Sequence, residues 1–313
     1  MEELSQLVEP WQLTLRQLSS GKLNIQVRFR VLGDTLLTNE RWDGALLGTG
    51  ATARDYVTVS GNNSPRNVYW QGAEFTGNRL AIAPANSECE FHTPLGSDHW
   101  VLLVPRTRFT RYFGIESETE LVPGAGYLVP EPAAVLRFSG LCNRILDGTL
   151  PASLAAEPET LRDELLNHLA DLQPTTHSHW DDKKGRYLIL RRALEAVDAY
   201  PELAGAEQLA DTVGVSQRVL ELSFRQHLGT SPHRYLKLCR LNRLHRALRE
   251  LQPELSSVTA VMKQHGMDEL GRTAGEFRAL FDELPSETLR QRAPSRSTSF
   301  LEHVAETGLS RGP

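Results

Sequence analysis

The chain has 313 residues, 40% of them hydrophobic and 23% charged, which is too much for one ordinary core and suits two domains. No stretch reaches the roughly 18 apolar residues of a membrane span, Met1-Glu2-Glu3 opens without a secretory signal, and Cys89, Cys142 and Cys239 are too few and scattered for a disulfide scaffold. A cytoplasmic protein is expected, and its net charge of −5 speaks at first against nucleic acid, which prefers a basic partner.

The first element predicted is a short helix over Trp11–Leu18, closed by Ser20-Gly21. Leu23–Val31 then alternates apolar and polar residues, the period of a half-buried strand. Turn signals recur about every ten residues afterwards. They fall at Gly33-Asp34, Asp43-Gly44, Gly61-Asn62-Asn63, Gly77-Asn78, Pro84-Ala85-Asn86 and Gly96-Ser97-Asp98, with short apolar runs such as Tyr56–Val59, Leu80–Ala83 and Trp100–Val104 between them. This spacing predicts an antiparallel β-barrel or sandwich. Trp42, Trp70 and Trp100 are assigned to core packing, the alternative being the wall of an apolar pocket.

From Pro132 the pattern turns helical. Pro158-Glu159 start a helix whose stripe of Leu161, Leu165, Leu166 and Leu169 reads as a dimer contact, with a cover for the barrel as the alternative. Residues 174–185 are polar and without periodicity, hence a linker. The domains expected are a β-rich domain with trailing helices (1–173), that linker, a helical domain (186–292) and a loose tail (293–313). The linker also divides the charge. Residues 1–182 carry 14 Lys+Arg against 23 Asp+Glu, and residues 183–313 carry 20 against 16. A basic second half restores the possibility of a nucleic-acid partner.

Ala206–Phe224 has the layout of a helix-turn-helix. Leu209 and Val213 face a core, Ala210 is small at a helix crossing, Gly214 can take the left-handed turn, and Ser216 can cap the next helix. Leu220 and Phe224 point inward and leave Gln217, Arg218, Glu221 and Arg225 outside, residue types able to read adenine, guanine and cytosine in a major groove. Val258–Phe277 repeats the layout with Gly266 at the turn. Between the copies, Ser231-Pro232 opens a helix of about 20 residues, roughly 30 Å long, which can hold two reading helices over successive major grooves. Ser231–Leu251 carries six Lys+Arg and one acid, so the rod is expected to offer one basic surface to phosphates through Arg234, Lys237 and Arg240.

With these residues the segment from about Arg186 to Arg290 resembles the DNA-binding domain of the arabinose-operon-regulator (AraC/XylS) family of bacterial transcription factors. The first motif matches at Gly214-Val215-Ser216, Arg218, Leu220 and Phe224. The linker-helix entry matches at Leu228–Pro232 with Tyr235-Leu236 and Arg240-Leu241, and the second motif at Gly266, Gly271-Arg272, Phe277-Arg278 and Phe281–Pro285. The resemblance implies sequence-specific binding to promoter DNA, usually activation through RNA polymerase, and a front domain that senses a small molecule or pairs two copies. By position it assigns Gln217, Arg218, Glu221 and Arg225 to the first reading helix. Asp268, Leu270, Arg272, Ala274 and Gly275 go to the second. Met262, Met267, Thr273 and Gly275 depart from the family pattern, and the second motif is expected to hold phosphate more than it reads bases.

The front half has a weaker resemblance to the ethanolamine-utilisation regulator branch, carried by Ser19–Lys22, Gly33-Asp34 and His92-Thr93-Pro94 ahead of Trp100–Pro105. That branch implies ethanolamine and adenosylcobalamin as inputs, but no motif here names an effector. His92 and His99 lack the H-x-H and glutamate of a metal-binding cupin barrel, and His177-Ser178-His179 with Asp181 and Asp182 reads as solvated linker. No metal and no cofactor is therefore expected. No enzyme motif stands out, which leaves a cupin-type metalloenzyme as a distant alternative. A front domain that only dimerises is the nearer one.

Overall fold

The computed structural model describes residues 11–66, 68–75, 77, 79–117, 127–128, 132–150, 157–172, 184–203, 205–251 and 257–291. They separate into a β-rich unit and a helical unit, and the short stretch Arg16–Leu23 belongs to the helical one. The expected linker lies outside the described residues up to position 183, as do His177-Ser178-His179, Asp181, Asp182 and the tail beyond residue 291.

The β unit is two antiparallel sheets. One has the order β1(Gln12–Gln17), β4(Leu46–Ala51), β9(Glu88–Thr93), β6(Val68–Trp70), β7(Ala73–Phe75). The other runs β11(Tyr127–Leu128), β8(Leu80–Ala83), β5(Tyr56–Asn62), β10(Ser97–Pro105), β3(Thr35–Trp42), β2(Ile25–Leu32). Among the described residues, helices α1(Arg106–Phe113), α2(Pro132–Asp147) and α3(Pro158–Ala170) follow or interrupt the strands.

The central strands of the second sheet, β5, β8 and β10, are buried on both faces, which explains the uninterrupted apolar run in β10. Trp100, Leu102 and Val104 point to a core shared with Phe138, Leu141, Ile145, Leu165 and Leu166 of α2 and α3. His99 and Val101 point the other way, between the sheets. Gly61 stands opposite Trp100 in the β5–β10 ladder, where a Cβ would come within 2.3 Å of the indole. The absent side chain is what makes room for the ring.

Three expectations need correction. Trp11–Leu18 contains strand β1, not a helix. Trp11, Leu15 and Leu18 fit helical spacing, but Trp11, Leu13 and Leu15 fit a strand equally well, and pairing beside β4 decides between them. The leucine stripe of α3 is no dimer contact. Leu165, Leu166 and Leu169 are buried in the same chain's core and Leu161 packs against it, so the barrel already consumes that face. Finally, Gly61 and Asn62 lie inside β5 rather than at a turn.

The helical unit contains α4(Lys184–Ala199), α5(Ala206–Val213), α6(Gln217–Leu228), α7(Pro232–Glu250), α8(Val258–Gln264), α9(Leu270–Phe281) and α10(Pro285–Arg290). The first core gathers Leu209, Ala210, Val213, Leu220 and Phe224, with Phe224 5.3 Å from Tyr235 of α7. The second is built on Phe277, Leu280 and Phe281, with the His245 ring stacked 4.3 Å from Phe281. No helix among the described residues is long and apolar enough to cross a membrane.

Glu283 locks this second core. Its carboxylate lies 3.1 Å from His245 Nε2 and accepts from Thr288 Oγ1 at 2.6 Å and Gln291 Nε2 at 2.7 Å. Burial pushes its pKa up, but these partners outweigh burial and hold it at about 2, below the ordinary 4.5. A folded-state pKa below the unfolded one stabilises the protein above the unfolded value, and that gain disappears as pH falls through the folded value. Glu283→Gln is expected to lower the urea midpoint at neutral pH, with the gap to wild type closing between pH 4.5 and 2. A gap that stays constant across this range would remove Glu283 from the pH response.

Candidate nucleic-acid interface

Both helix-turn-helix motifs form as spaced in the sequence. Gly214 ends α5 at φ 74°, and Ser216 Oγ accepts from the Val219 N–H at 3.4 Å to cap α6. A left-handed residue between two helices favours glycine because a Cβ would meet the following carbonyl. In the second copy Gly266 has φ 67°, and Ser257 Oγ caps α8 through the Ala260 N–H. Ser231 caps α7 through the Arg234 N–H at 3.2 Å, with Pro232 in the first turn. The nineteen residues of α7 make a rod of about 28 Å.

On α6 the outward face is as expected. Gln217, Arg218 and Arg225 are exposed and Glu221 is half-buried. Arg225 is held by Glu221 one turn earlier at 2.9 Å, whereas Arg218 stands at the start of the helix, where reading helices meet base edges. On the second motif Asp268 lies in the turn before α9. Arg272 and Gly275 are exposed, and Leu270 and Ala274 are half-buried. Arg272 lies between two carboxylates, Glu269 at 3.0 Å and Glu276 at 3.2 Å. Met262, Met267 and Thr273 are all buried, so these three departures from the family pattern lie in this motif's core, while Gly275 is on its surface.

The basic rod differs from expectation. A helix turns about 100° per residue, so cations at every third position shift by about 60° at each step. Arg234, Lys237, Arg240, Arg243, Arg246 and Arg249 therefore wind around α7 instead of forming one stripe. Arg234 is exposed. Lys237 Nζ sits 2.5 Å from Glu276. Arg240, Arg243 and Arg246 line a groove of about 700 Å³ with His265, Gly266, Pro201 and two acids, Glu202 and Glu250. Arg243 also donates to the Val197 carbonyl in the last turn of α4 and to the Pro201 carbonyl just beyond it. Positive charge reaches the surface on several sides of α7.

Sequence reasoning missed one structural part of this unit. Gln17, in the stretch joined to the helical unit, donates its amide N–H to Asn242 Oδ1 of α7 at 3.0 Å. Asn242 Nδ2 returns a bond to the Gln17 carbonyl at 3.0 Å. Gln17 Nε2 also reaches the Leu280 carbonyl at 2.8 Å, and the Gly21 N–H donates to the Ala279 carbonyl at 3.2 Å. Arg16 pairs with Asp198 at the end of α4. This strap ties α4, α7 and α9 together. The available signal was Asn242 itself, a polar residue among the buried leucines of α7.

The family described as "Helix-turn-helix domain" matches residues 209–291. The probable thc operon regulatory protein of Rhodococcus erythropolis is 36% identical over 103 residues, 33% of this chain and 31% of that one. The XylDLEGF operon transcriptional activator of Pseudomonas putida is 36% identical over 85 residues, 27% of this chain and 26% of that one.

Residues 209–291 form an AraC/XylS-type helix-turn-helix domain.

The match spans no more than about a third of these relatives' length. It therefore concerns the AraC/XylS-type domain and not the β unit. Among solved structures the chain is similar to the AraC-like transcriptional activator CuxR, with 12% identity over 77% of this chain and 90% of the other at a TM-score of 0.44. It is similar as well to ToxT of Vibrio cholerae, with 10% identity over 90% and 97% at a TM-score of 0.31.

The β unit offers a second candidate site. A cavity between its sheets is lined by Trp11, Leu13 and Leu15 at one side, Trp42, Trp70 and Phe91 at another, and Glu40 with His99. Trp42 and Trp70 are buried in the core as expected and also wall this cavity, while Trp100 belongs to the core on the far side of its sheet. His99 and Glu40 are cross-strand partners on β10 and β3, with Nε2 to Oε2 at 3.3 Å. Among the described residues no three His, Cys, Asp or Glu side chains cluster as metal ligands.

Proposed function

We propose that the chain is a sequence-specific regulator of transcription that grips promoter DNA with both motifs and senses a small molecule in its β unit. The observation that carries the first half is the pair of capped helix-turn-helix motifs on one rod, each with polar side chains facing out from an apolar core. The cavity between the sheets favours sensing over a front domain that only pairs two copies, since pure pairing needs no internal space. Activation through RNA polymerase and action as a homodimer complete the reading and rest on the family resemblance; a cytoplasmic location rests on the few, scattered cysteines.

Within the DNA contact, α6 reads most of the bases through Gln217, Arg218, Glu221 and Arg225. The second motif mainly secures the DNA backbone, because Arg272 is already bridged by Glu269 and Glu276 and Ala274 and Gly275 offer no side-chain donor. Arg234, Lys237 and Arg240 add phosphate contacts, for which Lys237 must leave Glu276. A gel-shift assay of the full chain on DNA from its own upstream region, at low salt, tests the main reading. A sequence-selective shift is expected, and no shift with any such duplex overturns it. Substituting bases through the operator tests the division of labour. Penalties are expected to concentrate under α6, and equal penalties in both half-sites contradict that division.

A further inference from the structure

We infer that Leu222 reads a base, and that what it recognises is the C5-methyl group of a thymine in the major groove. This rests on the reading of α6 as the helix that meets base edges, and it adds an apolar residue to the polar set assigned there. Leu222 is 42% exposed. Among the described residues it is the one large hydrophobic side chain exposed on either reading helix, α6 or α9.

A single leucine on a surface is ordinary, so its position has to carry the argument. Successive residues of a helix turn by about 100°. The buried Leu220 and Phe224 therefore lie about 160° to either side of Leu222, which stands at the centre of the outward face. Arg218 and Arg225 lie about 40° and 60° from it, and Glu221 about 100°. Leu222 is thus nearer the middle of that face than any of the four polar residues assigned to reading.

The neighbours say what kind of partner the leucine meets. Arg218 and Arg225 are exposed beside it, so an apolar side chain is flanked by two cations. A major groove has the matching layout, with phosphates along its edges and the thymine methyl as the apolar group on its floor. Reach agrees with this. A leucine is shorter than an arginine and touches a base only from the part of the helix closest to the groove floor, which is the centre of the outward face. The leucine also expels water from the edge it covers. Cytosine, adenine or guanine would lose a hydrogen bond at N4, N6 or O6 without replacement, whereas a methyl group has none to lose. Arg218 and Leu222 are one turn apart, about 5.4 Å along the helix, against about 3.4 Å between base pairs. For a helix lying along the groove, the thymine is expected one or two base pairs from the guanine that Arg218 reads.

The test uses the full-length chain and operator duplexes in which each thymine of the α6 half-site is replaced, one at a time, by deoxyuridine, which lacks only the methyl group. Affinities are read by gel shift for the wild type and for Leu222→Ala. With the wild type, deoxyuridine at one position beside the Arg218 guanine is expected to weaken binding about fourfold, the value of one methyl group taken out of water. With Leu222→Ala the same replacement is expected to make no difference, because the contact is already gone. Leu222→Gln is expected to move the preference at that position from thymine to adenine, a readout that does not depend on the stability of the alanine variant. A deoxyuridine penalty equal in wild type and Leu222→Ala, or no penalty at any thymine, overturns the assignment, while a sequence-selective shift by the same protein leaves the regulator reading standing. Failure of the wild type to shift any duplex selectively overturns that reading and this assignment with it.

Discussion

Asn242→Ala is expected to lower the unfolding free energy of the protein by about 2–6 kcal/mol, measured by urea denaturation followed by far-UV circular dichroism. The estimate comes from what the truncation leaves behind. Asn242 is buried, and its amide satisfies both the N–H and the carbonyl of Gln17. Removing it strands two buried backbone groups, each costing about 1–3 kcal/mol. Asn242 Nδ2 bonds the Leu238 carbonyl as well, but that carbonyl sits on α7 and can keep its helical partner. Gln17→Ala should cost less. It loses the side-chain bonds to the Ser19, Gly21 and Leu280 carbonyls, of which the first two are only partly buried, while the backbone pair with Asn242 survives. The order Asn242→Ala worse than Gln17→Ala is thus the specific prediction. A change below about 1 kcal/mol for Asn242→Ala would mean that water replaces the amide and that the strap does not stabilise the helical unit.

Arg218→Ala is expected to weaken operator binding by roughly 5- to 150-fold, corresponding to the 1–3 kcal/mol of a bidentate contact with a guanine. Arg218 is exposed in the first turn of α6, and the side chains there are the ones that meet base edges in a major groove. Arg225 is the instructive control. It lies two turns along and its guanidinium is already engaged by Glu221, so any DNA contact must compete with that pair. Its alanine variant should lose less. Two signatures separate reading from mere attraction. A base-reading Arg218 relaxes discrimination at one operator position and leaves the salt dependence nearly unchanged. A phosphate contact weakens all sequences alike and lowers the salt slope by about one. Uniform loss with a reduced slope would move Arg218 from the reading set to the phosphate set.

The legible parts of this protein were those governed by local rules. Gly214, Gly266, Ser216 and Ser231 announced turns and caps because a left-handed backbone and an orphan helix N–H each admit few residue types. β2, β5, β8 and β10 were visible as apolar runs between turn signals, since antiparallel strands need reversals at short, regular intervals, whereas the reversal at Gln71-Gly72 that joins β6 to β7 was not read. β1 was misread because six to eight residues can satisfy a period of two and a period of 3.6 at once, and only pairing with β4 chooses. The basic rod was misjudged for a related reason. Composition counts cations, but their angular positions on a helix decide which surface they share, and a spacing of three disperses them. The α3 leucines were visible as a buried face, yet what covers a face is settled by the rest of the chain. Here Trp100, Phe138 and their neighbours cover it.

The candidate sites divide in the same way. The exposed set on α6 followed from the inward positions of Leu220 and Phe224, four residues apart on one helix. The cavity did not follow from anything local, because Trp42, Thr93 and His99 come from three strands and meet only when two sheets close over them. The strap is longer-ranged still, joining Gln17 to residues more than two hundred positions away.

The charge balance carries the same lesson. By itself the sequence determined that an acidic first half and a basic second half average to −5, and that the second half holds two helix-turn-helix motifs, since each depends on spacings within about twenty residues. Only the tertiary structure decided which cations are free for DNA and which are taken by Glu221, Glu276 or the carbonyls in the last turn of α4 and just beyond it. Ion pairs and buried polar contacts depend on where distant segments meet, and that meeting is set by packing of the whole core.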